Sequence, residues 1–224
     1  MPAEPARSPT VGLPPPTTFH VVSHWRVRGT CGEVADVLDD PLALVAWWPS
    51  VYLSADELTP PGSDHLGQRV AFVTQGWLPY TLRWQATVVE RRYPTSAAFT
   101  VAGDFEGSGI WRFTQDGAFV DITFDWRVEI RRPLFRALAP VLRSLFEANH
   151  RWAMQQGETS LALELERRRA VGGEASPPVP PPPGPVTYAA VGVVVGAAVV
   201  GGTLFYLLAK GRRRRARATA RSDS

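Results

Sequence analysis

Cys31 is the only cysteine among 224 residues. A single thiol closes no intrachain disulfide, so folding does not require an oxidising compartment. Metal-ligand spacing is lacking too. His20, His24, His65 and His150 have neither cysteines nor clustered carboxylates at the right intervals, and no metal is expected. No nucleophile motif and no phosphate-cradling loop occurs, so no cofactor is expected. The N-terminus lacks the apolar core of a secretory signal. The formal charge of +3 is also misleading: residues 210–224 carry seven basic groups and one acid, net +6, leaving −3 on residues 1–209. The part that folds in water is mildly acidic, which removes the support for a nucleic-acid partner.

What is present first is a charge-free run of 24 residues, Val186 to Ala209, followed directly by Lys210-Gly211-Arg212-Arg213-Arg214-Arg215. At ~1.5 Å per residue such a helix spans a ~30 Å hydrocarbon core, so a single-pass C-terminal transmembrane helix is expected over 186–209 and a basic tail over 210–224. Membrane lipids are the expected partners of residues 186–215. Orientation is contested. Positive residues favour the cytoplasmic side for the tail, whereas exporting about 185 preceding residues without a signal is difficult. A cytoplasmic domain is the reading adopted. Gly192 and Gly196 have the small-xxx-small spacing that lets two helices approach closely, a candidate homodimer contact.

Thirteen of the 21 prolines lie in residues 2–16 and 177–185. They mark a disordered leader over 1–18 and an extended stalk over 170–185, and between them stands one domain, 19–169. Its periods change in order. Phe19 to Arg28 alternates, with Val21, Ser23, Trp25 and Val27 on one face. Gly32 to Leu44, interrupted by Pro41, reads as two short helices. Strand character follows at Val51–Leu58, Arg69–Gln75, Thr81–Arg91, Ala98–Phe105, Ile110–Gln115 and Phe119–Ile130. Asp116-Gly117 signals a hairpin. The last strand places Val120, Ile122, Phe124, Trp126, Val128 and Ile130 on one face, which must be covered. The cover is Pro133 to Arg168, an amphipathic helix that Pro140 and Gly157 are expected to bend. The fold class is α+β: a helix-grip, with a curved antiparallel sheet wrapped around a long C-terminal helix.

That order, with Trp47-Trp48-Pro49, Gly107-Ser-Gly109-Ile-Trp111-Arg-Phe113 and Asn149-His150-Arg-Trp152-Ala-Met154-Gln-Gln-Gly157, resembles the SRPBCC superfamily. This group holds START lipid carriers, polyketide cyclases and plant pathogenesis-related allergens. The motifs look most like its polyketide cyclase or dehydrase branch, and the resemblance covers Phe19 to Arg169. It implies a deep apolar pocket for a hydrophobic or aromatic small molecule, and it fixes the fold better than the function.

The candidate ligand-binding residues are Trp84, Trp111, Phe124, Trp126, Phe146, Asn149 and His150; the alternative for the aromatics is that they only fill the core. His150, one turn after Phe146, is the candidate catalytic residue, with a structural role as its alternative. Asp104 and Glu106 flank a glycine-rich turn and Asp125 points outward, so all three are expected in solvent. The leading functional expectation is membrane-anchored binding or transfer of a lipid, isoprenoid or polyketide-like compound, which requires no catalysis. Alternatives are an enzyme of the cyclase or dehydratase type, and a membrane interaction module whose cavity is filled by its own side chains.

Overall fold

The computed structural model describes residues 18–78, 80–130 and 133–170. The expected leader (from residue 17 back), the stalk from 171, the anchor at 186–209 with Gly192 and Gly196, and the basic tail lie outside them. Among the described residues no helix is long and apolar enough to cross a membrane.

Strand β1 (Thr18–Arg28) is followed by α1 (Cys31–Leu38), α2 (Leu44–Trp47) and β2 (Tyr52–Thr59). A short 3-10 turn then leads into β3 (Arg69–Gln75), β4 (Thr81–Arg92), β5 (Ser96–Gly103), β6 (Phe105–Asp116) and β7 (Phe119–Ile130), and the chain closes with α3 (Pro133–Arg169). The seven strands form one antiparallel sheet in the order β1-β7-β6-β5-β4-β3-β2. The α1–α2 segment therefore carries the chain from one edge of the sheet to the other.

Each element has a local cause. Helix α1 starts at a capping box: Thr30 accepts from the Glu33 backbone N–H, and the Glu33 carboxylate accepts from the Thr30 N–H at 2.8 Å. At its far side Glu33 also receives Arg169 Nε at 2.7 Å, tying α1 to the last turn of α3. Arg169 and the Thr30 cap hold the Glu33 carboxyl down at about 2. The β6–β7 hairpin pairs Asp116 with Phe119, so its loop is Gly117-Ala118 and the expected turn is off by one residue. Gly117 sits there at φ 57°, a conformation that costs a residue with a Cβ.

The alternation read from the sequence holds on β1 and β7. Phe19, Trp25, Val27, Val120, Ile122, Phe124 and Val128 are buried, while His20, Val22, His24 and Arg26 are turned outward. Register places Trp111 opposite Phe124 and Phe72 opposite Trp84, so the inner face is aromatic across its width.

Some expectations need correction. Strand β1 begins at Thr18, paired with Glu129, one residue inside the expected leader. The glycines at 107 and 109 lie within β6 rather than in a turn, because the reversal occurs at Gly103-Asp104. There Asp104 Oδ2 accepts from Arg83 N at 2.8 Å and Asp104 N donates to Arg83 O at 3.0 Å. As expected, one long helix, α3, runs from Pro133 through Pro140 and Gly157 to Arg169. Gly157 serves close approach: a Cβ there would collide with the Trp48 and Trp25 rings, so the helix backbone rests directly on them.

Candidate functional site

Between the sheet and α3 lies a cavity of about 200 Å³. Its walls come from β1 (Phe19, Val21), the start of β2 (Tyr52), β3–β4 (Thr74, Trp84), β5–β6 (Phe99, Phe105, Trp111), β7 (Phe124, Trp126) and α3 (Phe146 to Met154). The walls are rings in mutual contact. Trp111 stacks on Phe124 with centroids 4.0 Å apart, Trp84 lies 4.8 Å from Phe72 and 5.4 Å from Phe105, and Phe146 meets Phe19 edge-on at 5.9 Å. Trp84 is fixed further by donating from Nε1 to Thr74 Oγ1 at 3.0 Å. A second chamber of about 90 Å³ lies toward α1 and α2, with the Asp39–Arg91 ion pair and Gln68 in its wall. Trp48, Tyr52, Trp84, Phe99 and Trp111 line both chambers and partition them.

All seven residues singled out from the sequence, Trp84, Trp111, Phe124, Trp126, Phe146, Asn149 and His150, are brought to the wall of the larger cavity. Asn149 is 9% exposed and accepts from the Leu78 backbone N–H at 3.2 Å, which holds the β3–β4 connection against the helix. His150 Nε2 lies 3.4 Å from Ser23 Oγ across the gap to β1. Burial, reinforced by the charge of Arg151, pushes the His150 imidazole down to about 4. It is therefore neutral near pH 7 and offers one hydrogen-bond donor and one acceptor.

The carboxylates depart from expectation. Glu106 is exposed as read, but Asp104 is half-buried and lines the cavity. Asp125 is only 13% exposed at its side chain, because Arg127 at 3.0 Å and His20 at 3.0 Å fold over it. That pairing, Arg127 first, lowers its carboxyl against the opposing effect of burial. Sequence reasoning did not select Tyr52, Phe99, Phe105 or Ser23. Trp48 lay in the quoted Trp47-Trp48-Pro49 motif but was not read as lining a cavity. The signal for Tyr52 was its place four residues after Trp48; nothing in the sequence pointed to Ser23. Among the described residues no group of three or more His, Cys, Asp or Glu could hold a metal ion.

Chemically, this is an aromatic chamber with Glu147, Asn149 and the neutral His150 as polar groups on its helix side. It can enclose an apolar ring system and orient an oxygen.

The comparisons with known proteins agree at the level of fold. The Zhui aromatase/cyclase from a Streptomyces species superposes with a TM-score of 0.57 at 19% identity, covering 70% of this chain and 99% of that one. A protein of Thermus thermophilus gives 0.52 at 18% identity, covering 70% and 100%. The di-domain ARO/CYC protein BexL gives 0.50 at 16%, covering 66% of this chain and 51% of its own. No curated protein matches in sequence. Residues 18–166 match the family described as polyketide cyclase / dehydrase and lipid transport, and the chain belongs to that family.

Proposed function

We propose that this protein binds and holds an apolar or aromatic small molecule in the chamber between its sheet and α3, beside a membrane to which residues 186–209 anchor it. The single observation carrying this reading is the aromatic-walled cavity of about 200 Å³. Cavity size bounds the ligand. An apolar cavity of ~150 Å³ takes benzene, so this volume suits two fused rings or one short isoprenoid chain and disfavours a two-chain lipid. Tethering fits such a cargo, since poorly soluble molecules are stored in the bilayer. In this arrangement the domain faces the cytoplasm, residues 186–215 contact lipid, and Gly192 and Gly196 allow the anchors to pair. The test is native mass spectrometry of the full chain released from lipid nanodiscs. A co-purified small mass retained by the protein is expected; an empty protein that also refuses aromatic probes overturns the reading.

A second reading, an enzyme of the cyclase or dehydratase type, is favoured by one observation. His150 is held neutral in the cavity wall beside the Ser23 hydroxyl, in a family whose description includes polyketide cyclases and whose fold the Streptomyces aromatase/cyclase shares. Its test is His150→Ala, which should abolish turnover of a bound polyketide-like chain and leave its affinity within about threefold. Unchanged turnover would overturn it.

A further inference from the structure

Most buried polar groups of this domain are either paired or sealed. Trp84 Nε1 has Thr74, Asn149 Oδ1 has Leu78, and the Glu164 carboxylate has Arg167 and Arg168. The indole N–H groups of Trp25, Trp47 and Trp48, the Ser50 hydroxyl and His65 Nδ1 lack a partner among the described residues, but packing closes them off completely. Tyr52 differs from both sets. It stands at the partition and lines both chambers. Its ring is wedged among Trp48 at 5.2 Å, Phe72 at 5.3 Å and Trp84 at 6.4 Å. Its hydroxyl has no hydrogen-bond partner among the described residues, yet it is not one of the sealed atoms. Burial raises the phenol, so it stays neutral and remains both donor and acceptor.

A phenol placed in an apolar interior without a partner costs stability that a phenylalanine would not. Its position, between two chambers and open to them, gives that cost a use. Resting on the cavity-binding reading above, we propose that Tyr52 is the interior anchor of the ligand site. Its hydroxyl pairs with a hydroxyl or carbonyl oxygen on an otherwise apolar ring system, and the protein thereby selects oxygenated compounds over plain hydrocarbons. The ring body lies in the larger chamber, and a substituent beyond the oxygen enters the smaller one.

The experiment compares naphthalene with 1-naphthol and 2-naphthol, titrated calorimetrically into the full chain in lipid nanodiscs, wild type against Tyr52→Phe, with empty nanodiscs subtracted. The better naphthol should bind wild type more tightly than naphthalene does. Tyr52→Phe should weaken it about threefold to tenfold, the range a neutral hydrogen bond supplies, and leave naphthalene unchanged. The ligand-free variant should unfold at the same temperature or higher, because no protein hydrogen bond is lost. Equal weakening of both probes, or an unchanged naphthol affinity, overturns the anchor while leaving the cavity reading intact. Failure of naphthalene and both naphthols to bind wild type overturns the cavity reading and the anchor with it.

Discussion

His150 shows at the scale of one residue how burial becomes a pH response. Its imidazole ordinarily titrates near 6.5 and in the folded chain near 4. As pH falls, the unfolded chain takes up this proton first, so stability is full above about 6.5 and is lost progressively down to about 4. A depression of that size corresponds to roughly 3 kcal/mol. We expect urea midpoints measured between pH 7 and pH 4.5 to fall less steeply in His150→Gln than in wild type; identical slopes would mean that the imidazole is hydrated in the folded state. Thr30 is a second case. It caps α1 and answers Glu33 in the capping box, so Thr30→Ala should cost about 1 kcal/mol by chemical denaturation.

Helix α3 is the element whose placement decides whether a cavity exists. At Gly157 its backbone rests on Trp48, at the end of α2, and on Trp25 of β1. Gly157→Ala would gain about 1 kcal/mol of helix propensity, but the added methyl meets two buried rings, and such overpacking costs about 1–3 kcal/mol. The clash should win. Reduced stability and a shifted tryptophan emission are expected; a more stable variant would mean that the helix moves away freely. Further along, Leu161 is 0% exposed and packs where the helix closes the core. Leu161→Ala should cost about 2–5 kcal/mol in a denaturant melt. Near the C-terminal end, burial disfavours the Glu164 carboxylate, but Arg167 at 2.6 Å and Arg168 at 2.8 Å outweigh that and lower it, so the helix carries a paired charge into the interior.

On the scale of the whole molecule, the cavity joins strands from both halves of the sheet to one helix, so filling it should stabilise the fold as a unit. A naphthol supplied at ~100 times its Kd should add ~2.7 kcal/mol, a rise of several degrees in the midpoint of thermal unfolding; an unmoved midpoint would mean that the naphthol does not prefer the folded state to the unfolded one. How far the sequence carried this picture differs from part to part. Strand alternation on β1 and β7, the helix ending near Arg169 and the candidate lining on Phe146, Asn149 and His150 were legible because each depends on the period of a single element. The one-residue shift of the 116–119 hairpin, the turn at Asp104 and the burial of Asp125 were not, since pairing across strands sets them. Ser23 became the neighbour of His150 across 127 residues of chain because α3 docks on β1, and Tyr52 came to stand between two chambers through the packing of β2 against α2 and the rest of the sheet. Local periods in the amino-acid order were enough to say which faces are apolar, and how many strands and helices form between residues 18 and 170. Which aromatics touch one another, where they leave room, and which polar group is left facing that room emerged with the assembled fold, because packing is a property of distant segments brought together and no local period encodes it.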